Sequence, residues 1–434
     1  MDDSDPRNKP PCYREDALIL VRALRDAGHV AYFAGGCVRD LLLQLEPKDY
    51  DVATDALPEK VRSLFRNTQA VGQAFGVILV RLGRSVIEVA TFRSDGAYTD
   101  GRRPSEVRFT TAEVDAKRRD FTINGLFFDP IEDRILDFVG GKQDLERKIL
   151  RAIGEPDARF EEDHLRLMRA VRFAARFGLD IEPQTRAAIR HHAPQLARIS
   201  PERVGEEARL MLTPLTRVNA LEHLIDLGLL QVMMRFSTEV PPAPNRPPAP
   251  LFRLVAPGEF IGFGLALAAI TVEYRLDPTR PDWMDLLARA QSLRSVQACR
   301  KAMKISNDES NAMSDVLDLL PLLDSEPPTV AFLKRFLARP HSSDARRLLE
   351  AIYLLDPTVK RIGWLREQFA VLEQMDCAPA PFVTGDDLTA AGFSPGPMYK
   401  RVLDRVYDAQ LEQSVRSKEQ AMEIALQLAR QSNQ

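Results

Sequence analysis

The chain has 434 residues, of which 45% are hydrophobic and 28% charged, with a formal net charge of −3 at pH 7. That length allows two to four structural units, and the charge excludes a polycation, so any nucleic-acid contact must come from a local basic face. Cys12, Cys37, Cys299 and Cys377 have no paired spacing, which argues against a zinc site or disulfide framework and suits a reducing cytoplasm.

In chain order, Met1 to Lys9 is polar and has no apolar signal core. Arg14 to Ala27 reads as an amphipathic helix ended by Gly28. His29 to Ala34 reads as a strand, followed by Gly35-Gly36 and a helix through Leu45 that Pro47 stops. Asp49 to Ala53 reads as a strand and Pro58 to Phe65 as a helix. Gly76 to Leu82 and Ser85 to Phe92 read as β-segments joined by a Gly83-Arg84 turn. Arg93 to Pro104, rich in Gly, Asp and Ser, reads as a mobile loop, and Phe121 to Phe128 and Arg134 to Val139 as strands. The first 140 or so residues are therefore α+β. After Gly140-Gly141 the periodicity is almost wholly helical. Phe260 to Val272 is the longest apolar run, too short to span a bilayer, and reads as a buried helix. Pro241 to Pro250 holds six prolines in ten residues and reads as a stiff linker or loop, not helix.

Four constellations carry chemistry. In the first, Gly35-Gly36-Cys37-Val38-Arg39-Asp40 precedes Lys48-Asp49-Tyr50-Asp51. A glycine turn opening a helix offers backbone N–H donors to a triphosphate, and Arg39 adds a charged donor. Asp49 and Asp51, at i and i+2 of a strand, face one side and can hold two Mg²⁺ through hard oxygen ligands. A lone Asp-x-Asp is usually a solvated pair; the preceding glycine turn favours function here. The second is Glu88, among strand apolars, which reads equally well as a third carboxylate of the site or as an edge-strand glutamate facing water. The third is Arg118-Arg119 before Asp120-Phe121-Thr122-Ile123-Asn124, a phosphate clamp or a solvated charge run. The fourth is Glu162 to Arg172, a helix on which Asp163 and Arg166 are neighbours and Arg169 and Arg172 continue the row. The bland reading is a salt-bridged surface helix. The sharper one is base reading: a carboxylate accepts an exocyclic amine and arginine donates to a ring acceptor, so C and A fit while G and U leave a polar group unpaired.

Together these motifs resemble the class II tRNA nucleotidyltransferases, the CCA-adding enzymes of bacteria and eukaryotes, and their poly(A) polymerase relatives. The resemblance runs from about Tyr32 to Arg209, and Glu202-Arg203 with Glu206 or Glu207 resembles a later helical motif of the family. It implies an α+β nucleotidyltransferase head, with a small mixed sheet and helices, at 1–140. An all-α neck at 141–215, body at 216–375 with the Pro-rich insertion at 240–250, and tRNA-binding tail at 376–434 would follow. By resemblance Gly36, Arg39 and Arg119 bind nucleotide, Asp49 and Asp51 bind magnesium, and Asp163, Arg166, Arg169 and Arg172 form the nucleotide-reading helix. Gly72-Gln73-Ala74-Phe75-Gly76-Val77 resembles the tRNA enzymes rather than the poly(A) polymerases, and the loop Arg93 to Arg108 is the kind found in enzymes able to add A. The expected reaction is transfer of CMP and AMP from CTP and ATP to the tRNA 3′ end, in the cytoplasm, with no membrane and no obligatory protein partner. The alternatives are an A-adding enzyme, a poly(A) polymerase, or a non-catalytic RNA-binding protein. No appended His-Asp phosphohydrolase domain is evident, and His164 has no histidine partner nearby in sequence.

Overall fold

The computed structural model describes residues 13–72, 76–96, 107–235, 249–274, 283–285, 293–323 and 326–432. They form two compact units, residues 1–211 with 219–234, and residues 212–218 with 235–434.

The first unit begins with helix α1 (Arg14–Asp26), which buries Ala17, Leu20, Val21 and Leu24 along one stripe. Gly28 ends it at φ +86°, a left-handed turn in which the N–H of His29 reaches back to the carbonyl of Leu24. Then follow β1 (Ala31–Ala34), α2 (Gly36–Leu42), β2 (Val52–Thr54), α3 (Pro58–Leu64), β3 (Thr68–Gly72), β4 (Val77–Leu82), β5 (Ser85–Thr91), β6 (Arg93–Asp95), β7 (Val107–Phe109), α4 (Ala112–Lys117), β8 (Leu126–Asp129) and β9 (Arg134–Asp137). Seven strands make one sheet in the order β3-β4-β5-β2-β1-β8-β9, in which β2 and β5 run parallel and the other pairs antiparallel.

The register sorts the two faces. Phe33 pairs with Val52 and with Phe128, so these share one face, and Tyr50, two residues before Val52, packs edge-on against Phe33 at 5.2 Å. The opposite face carries Ala34, Ala53 and Phe127 in a cluster with Phe92 and Ala116. Alanines at Ala34, Ala53 and Ala90 fill little of the space above the sheet, and a cleft opens there.

Several elements differ from expectation. Helix α2 stops at Leu42, before Pro47: Gln44 turns left-handed at φ +57° and the N–H of Leu45 caps the carbonyl of Asp40. Asp49 and Asp51 lie in the extended segment leading into β2, not on the strand itself, although the carbonyl of Asp51 still accepts from Ala34 at 2.9 Å. Thr122–Asn124 is a 3-10 turn and only Leu126–Asp129 pairs as a strand. The expected loop begins and ends in a ribbon, β6 paired with β7, and 97–106 lie outside the described residues, as do 73–75.

From Gly140 onward come α5 (Gly141–Glu146), the short parallel pair β10 (Ile149–Leu150) and β11 (Asp180–Ile181), α6 (Pro156–Glu162), α7 (Arg166–Phe177), α8 (Pro183–His192) and α9 (Pro201–Leu212). Among its described residues the second unit has helices and their connections but no strand. Its helix Phe263–Glu273 is buried on every side, as its apolar sequence implies, and packs on Asn307–Leu317. A methyl group on Gly264 would sit 2.5 Å from the Ala312 methyl. The buried Arg217 guanidinium donates to the carbonyls of Val255, Ala256 and Glu259. Toward the C-terminus, Leu388, Tyr399, Val402, Val406, Ala421 and Ala425 form a core of their own. Residues 236–248 lie outside the described residues, but Pro250 opens the helix Pro250–Leu254, since proline fits the first helical turn.

Candidate active site

The segment Asp49 to Val52 alternates as an extended chain must. Asp49 is exposed, Tyr50 buried against Phe33, and Asp51 half-buried on the opposite side from Tyr50. β5 lies beside β2 with Val52 opposite Val89 and Ala53 opposite Ala90, so Glu88 stands level with Asp51 on the same face. Both line a cleft of about 180 Å³ with Ala34, Ala53, Ala90 and three arginines, Arg93, Arg118 and Arg119. The edge-strand reading of Glu88 does not hold, because β5 lies between β4 and β2. Cys37, in the first turn of α2, registers the nearby acidic pair. Burial and then the Asp51 charge, with a smaller contribution from Asp49, push its thiol up to about 12.

The glycine turn works differently from expectation. Gly35 has φ +69° and its N–H donates to the carbonyl of Leu126 at 3.0 Å, so that donor is spent inside the fold. A Cβ on Gly35 would meet the Arg119 guanidinium at 2.8 Å, so the missing side chain lets Arg119 lie against the turn. Gly36 opens α2, within 3.6 Å of the Arg39 guanidinium by the same measure.

Arg39 lines neither cleft. It is 4% exposed and donates to Asp40 at 2.6 and 2.9 Å and to the Asn124 side chain at 2.6 Å, with its guanidinium 4.3 Å from the Phe177 ring and 5.3 Å from Phe173. It ties α2 to α7. Three of its five N–H donors are engaged by Asp40 and Asn124, which fixes the plane of its fork between α2 and α7.

Arg118 and Arg119 are no solvated charge run. Arg119 donates to Asp115 at 3.0 and 3.1 Å and to the Asn124 carbonyl at 3.1 Å, and Arg118 donates to Asp115 at 2.9 Å. Arg93 and Arg118 also share Asp95. Burial, the largest influence on Asp115, raises its carboxyl, yet the Arg119 and Arg118 charges outweigh it and hold it below the usual range.

A second cleft of about 390 Å³ adjoins, sharing Arg93, Arg118 and Arg119 and adding Asp95, Asp120, Asp163, Leu165, Arg166, Arg169 and Arg203. Six arginines there face three aspartates, a local excess of positive charge within a chain of net charge −3. Asp163 and Arg166 are both present, but not on one helix. The chain breaks at Asp163, which is extended (φ −154°, ψ 105°) between α6 and α7. Its carboxylate accepts the Leu165 N–H at 3.0 Å, a local bond that competes with helix continuation. It also accepts a two-pronged contact from Arg203, at 2.6 and 3.2 Å. Arg166 donates to Glu162 and to the carbonyl of Arg159. Arg169 holds Asp120 at 2.8 Å, and Arg172 holds Glu207 at 2.6 Å. Arg172 lines neither cleft. Asp120 is held down to about 2: burial raises it, and the Arg169 charge and the Asn124 amide overcome that. Of the α9 acids, Glu207 is buried and engaged, whereas Glu206 is exposed.

Sequence reasoning missed Arg93, Asp95, Asp115 and Asp120 as parts of the site. The ladder of three arginines against two acids was signalled only by the Arg118-Arg119 pair. His164, without a histidine neighbour in sequence, stacks on His192 with ring centres 6.1 Å apart.

No described helix is long and apolar enough to cross a membrane. Residues 31–151 match the Poly A polymerase head domain, and residues 178–239 match the probable RNA and SrmB-binding site of polymerase A. The chain is 33% identical over 416 residues to the CCA-adding enzyme of Geobacillus kaustophilus, covering 95% of this chain and 96% of that one. It is 40% identical over 240 residues to poly(A) polymerase I of Salmonella typhi, covering 52% of each. The fold matches the crystal structure of the Bacillus stearothermophilus CCA-adding enzyme in complex with CTP at a TM-score of 0.72 and 28% identity, over 96% of this chain and 98% of the other. A likeness spanning nearly the whole of both chains places this protein in the CCA-adding enzyme family, and it is a nucleotidyltransferase.

Proposed function

We propose that this protein transfers CMP and AMP from CTP and ATP to the 3′ end of tRNA, building or repairing CCA. The observation that carries this reading is the alignment of Asp51 and Glu88 on one sheet face, in a cleft that shares Arg93, Arg118 and Arg119 with the neighbouring cleft of Asp163 and Arg166. Asp49 and Asp51 are the residues that would hold the divalent metal, taken here as Mg²⁺. Two carboxylates flanking a buried Tyr50, one of them level with Glu88, offer the hard oxygen donors that such an ion prefers. When bound, the metal activates the attacking hydroxyl and stabilises the leaving pyrophosphate.

The chain's own residues bind and select. Arg93, Arg118 and Arg119, steadied by Asp95 and Asp115, present charged donors to the triphosphate as the tRNA 3′-hydroxyl attacks the α-phosphate. Asp163 and Arg166 read the amine edge shared by cytosine and adenine, with Arg203 holding Asp163 in place. Arg169 and Arg172 support that reader through Asp120 and Glu207. Gly35 and Gly36 give Arg119 and α2 their close approach, and Arg39 acts as a positioning residue. The chain divides into a head at 1–140, a neck at 141–215, a body at 216–375 and a tRNA-holding tail at 376–434. Cys37, Cys299 and Cys377 form no disulfide among the described residues, which suits the cytoplasm.

The test offers tRNA ending before CCA, and tRNA ending in CC, with CTP or ATP separately. Two C additions, one A addition and then arrest are expected. Continued A addition would identify a poly(A) polymerase, neglect of CTP an A-only enzyme, and no incorporation with magnesium a non-catalytic RNA-binding protein.

A further inference from the structure

A second group of metal-ligating side chains lies outside both clefts. Asp157 stands in the first turn of α6, and His191 and His192 stand in the last turn of α8. The two helices pack on each other. One ligand atom from each residue lies within 4.8 Å of the others. His192 is buried, its ring set 6.4 Å from the Phe160 ring and stacked on His164, while Asp157 and His191 are exposed. The Nε2 of His192 is 2.9 Å from the Asp157 carboxylate.

Two imidazoles and one carboxylate form a borderline-soft donor set. It suits Zn²⁺ and its first-row neighbours, whereas Mg²⁺ takes oxygen ligands. Metal–ligand bonds of about 2.0–2.2 Å put ligand atoms of a tetrahedral ion roughly 3.4 Å apart. The His192–Asp157 pair is already near that spacing, and the exposed side chains of His191 and Asp157 have room to close the remainder. Histidines at a helix C-terminus are also favoured simply as cations. That explanation does not require an aspartate from another helix to converge on the same point.

We propose that Asp157, His191 and His192 bind one Zn²⁺ or similar divalent transition ion, separate from the Asp49–Asp51 pair, with water completing the coordination. Such an ion joins the start of α6 to the end of α8. It thereby steadies the short helix whose far end runs into Glu162 and Asp163.

The test is titration of the full chain, freed of transition metals by chelation, with Zn²⁺ in excess Mg²⁺, followed by calorimetry, with Co²⁺ absorption as a second readout. One ion per chain is expected. Asp51→Ala should retain it, whereas His191→Ala and Asp157→Asn should weaken it by more than about tenfold. Both of the latter positions are exposed, so the variants should fold, and His191→Ala should keep its magnesium-supported nucleotide incorporation. Zn²⁺ should raise the melting temperature of the wild type and not of His191→Ala. Binding that survives His191→Ala unchanged, binding that disappears in Asp51→Ala, or no binding up to millimolar Zn²⁺ would each overturn the proposal.

Discussion

At the scale of single residues, Asp51 and Arg39 make opposite demands on experiment. Asp51 faces the cleft, so Asp51→Ala should leave the fold intact and cut nucleotide incorporation by about a thousandfold or more, the loss of several kcal/mol of transition-state stabilisation. A turnover near wild type in a steady-state assay would remove the metal assignment. Arg39 is buried against Asp40 and Asn124. Arg39→Ala strands a buried carboxylate, which among the described residues keeps Arg176 at 3.8 Å as its ion-pair partner, and should cost about 2–4 kcal/mol in denaturant unfolding. Stability within about 0.5 kcal/mol of wild type, with a raised KM for nucleotide, would return Arg39 to ligand binding. Asp120 supplies the pH dependence. Its folded value, about 2, lies below the ordinary 3.8, so its contribution is complete above pH 4 or so and is lost as pH falls toward 2. The size is about 2 kcal/mol by linkage. Unfolding midpoints measured between pH 5 and pH 2.5 should therefore fall more steeply for wild type than for Asp120→Asn, and parallel curves would contradict this.

At the scale of elements, what could be read in advance was what local periodicity determines. Tyr50 and Val52 are buried while Asp51, between them, lines the cleft, because an extended chain alternates whether or not it is paired in the sheet. Leu20 and Leu24 face the core because a helix repeats. The destination of Arg39 could not be read, because its partners are a side chain 85 residues onward and two rings of α7. The break at Asp163 could not either, since apolar spacing runs through it and the carboxylate's bonds to Leu165 and Arg203 decide the turn. Likewise β6 and β7 are three residues each and acquire meaning only by pairing with one another. Packing between elements gives its own prediction. Gly264 lets the helix Phe263–Glu273 approach Asn307–Leu317 so closely that an added methyl would meet backbone atoms of Glu309 and Met313 at 2.9 Å. Gly264→Ala should force the helices apart and cost about 1–3 kcal/mol, despite alanine's better helix propensity. Thermal unfolding would show it, and a stabilised variant would mean that the pair can slide without loss.

At the scale of the whole molecule, the described residues divide into two compact units, and the first holds every residue of both clefts. A chain cut after Arg235 retains all of that unit. It should unfold cooperatively by circular dichroism and bind CTP and ATP, while losing the affinity for tRNA that the C-terminal segment is proposed to supply. Failure to fold would mean that the helices beyond it are needed to form the nucleotide site. Within a chain of net charge −3, the six arginines and three aspartates of the larger cleft give that unit a local positive balance.

The two-pronged grip of Arg203 on Asp163 has a consequence for fidelity. Anchored through both oxygens, at 2.6 and 3.2 Å, the carboxylate is denied the small rotation by which a freer side chain adapts to an unsuitable partner. In the base-reading role proposed for Asp163, discrimination would reside in an acceptor that does not turn, so that a base lacking an amine at that point would find an unanswered charge in place of a compromise. Lysine at 203 keeps the charge but surrenders the fork, and the loosened reader should err more often without binding less tightly.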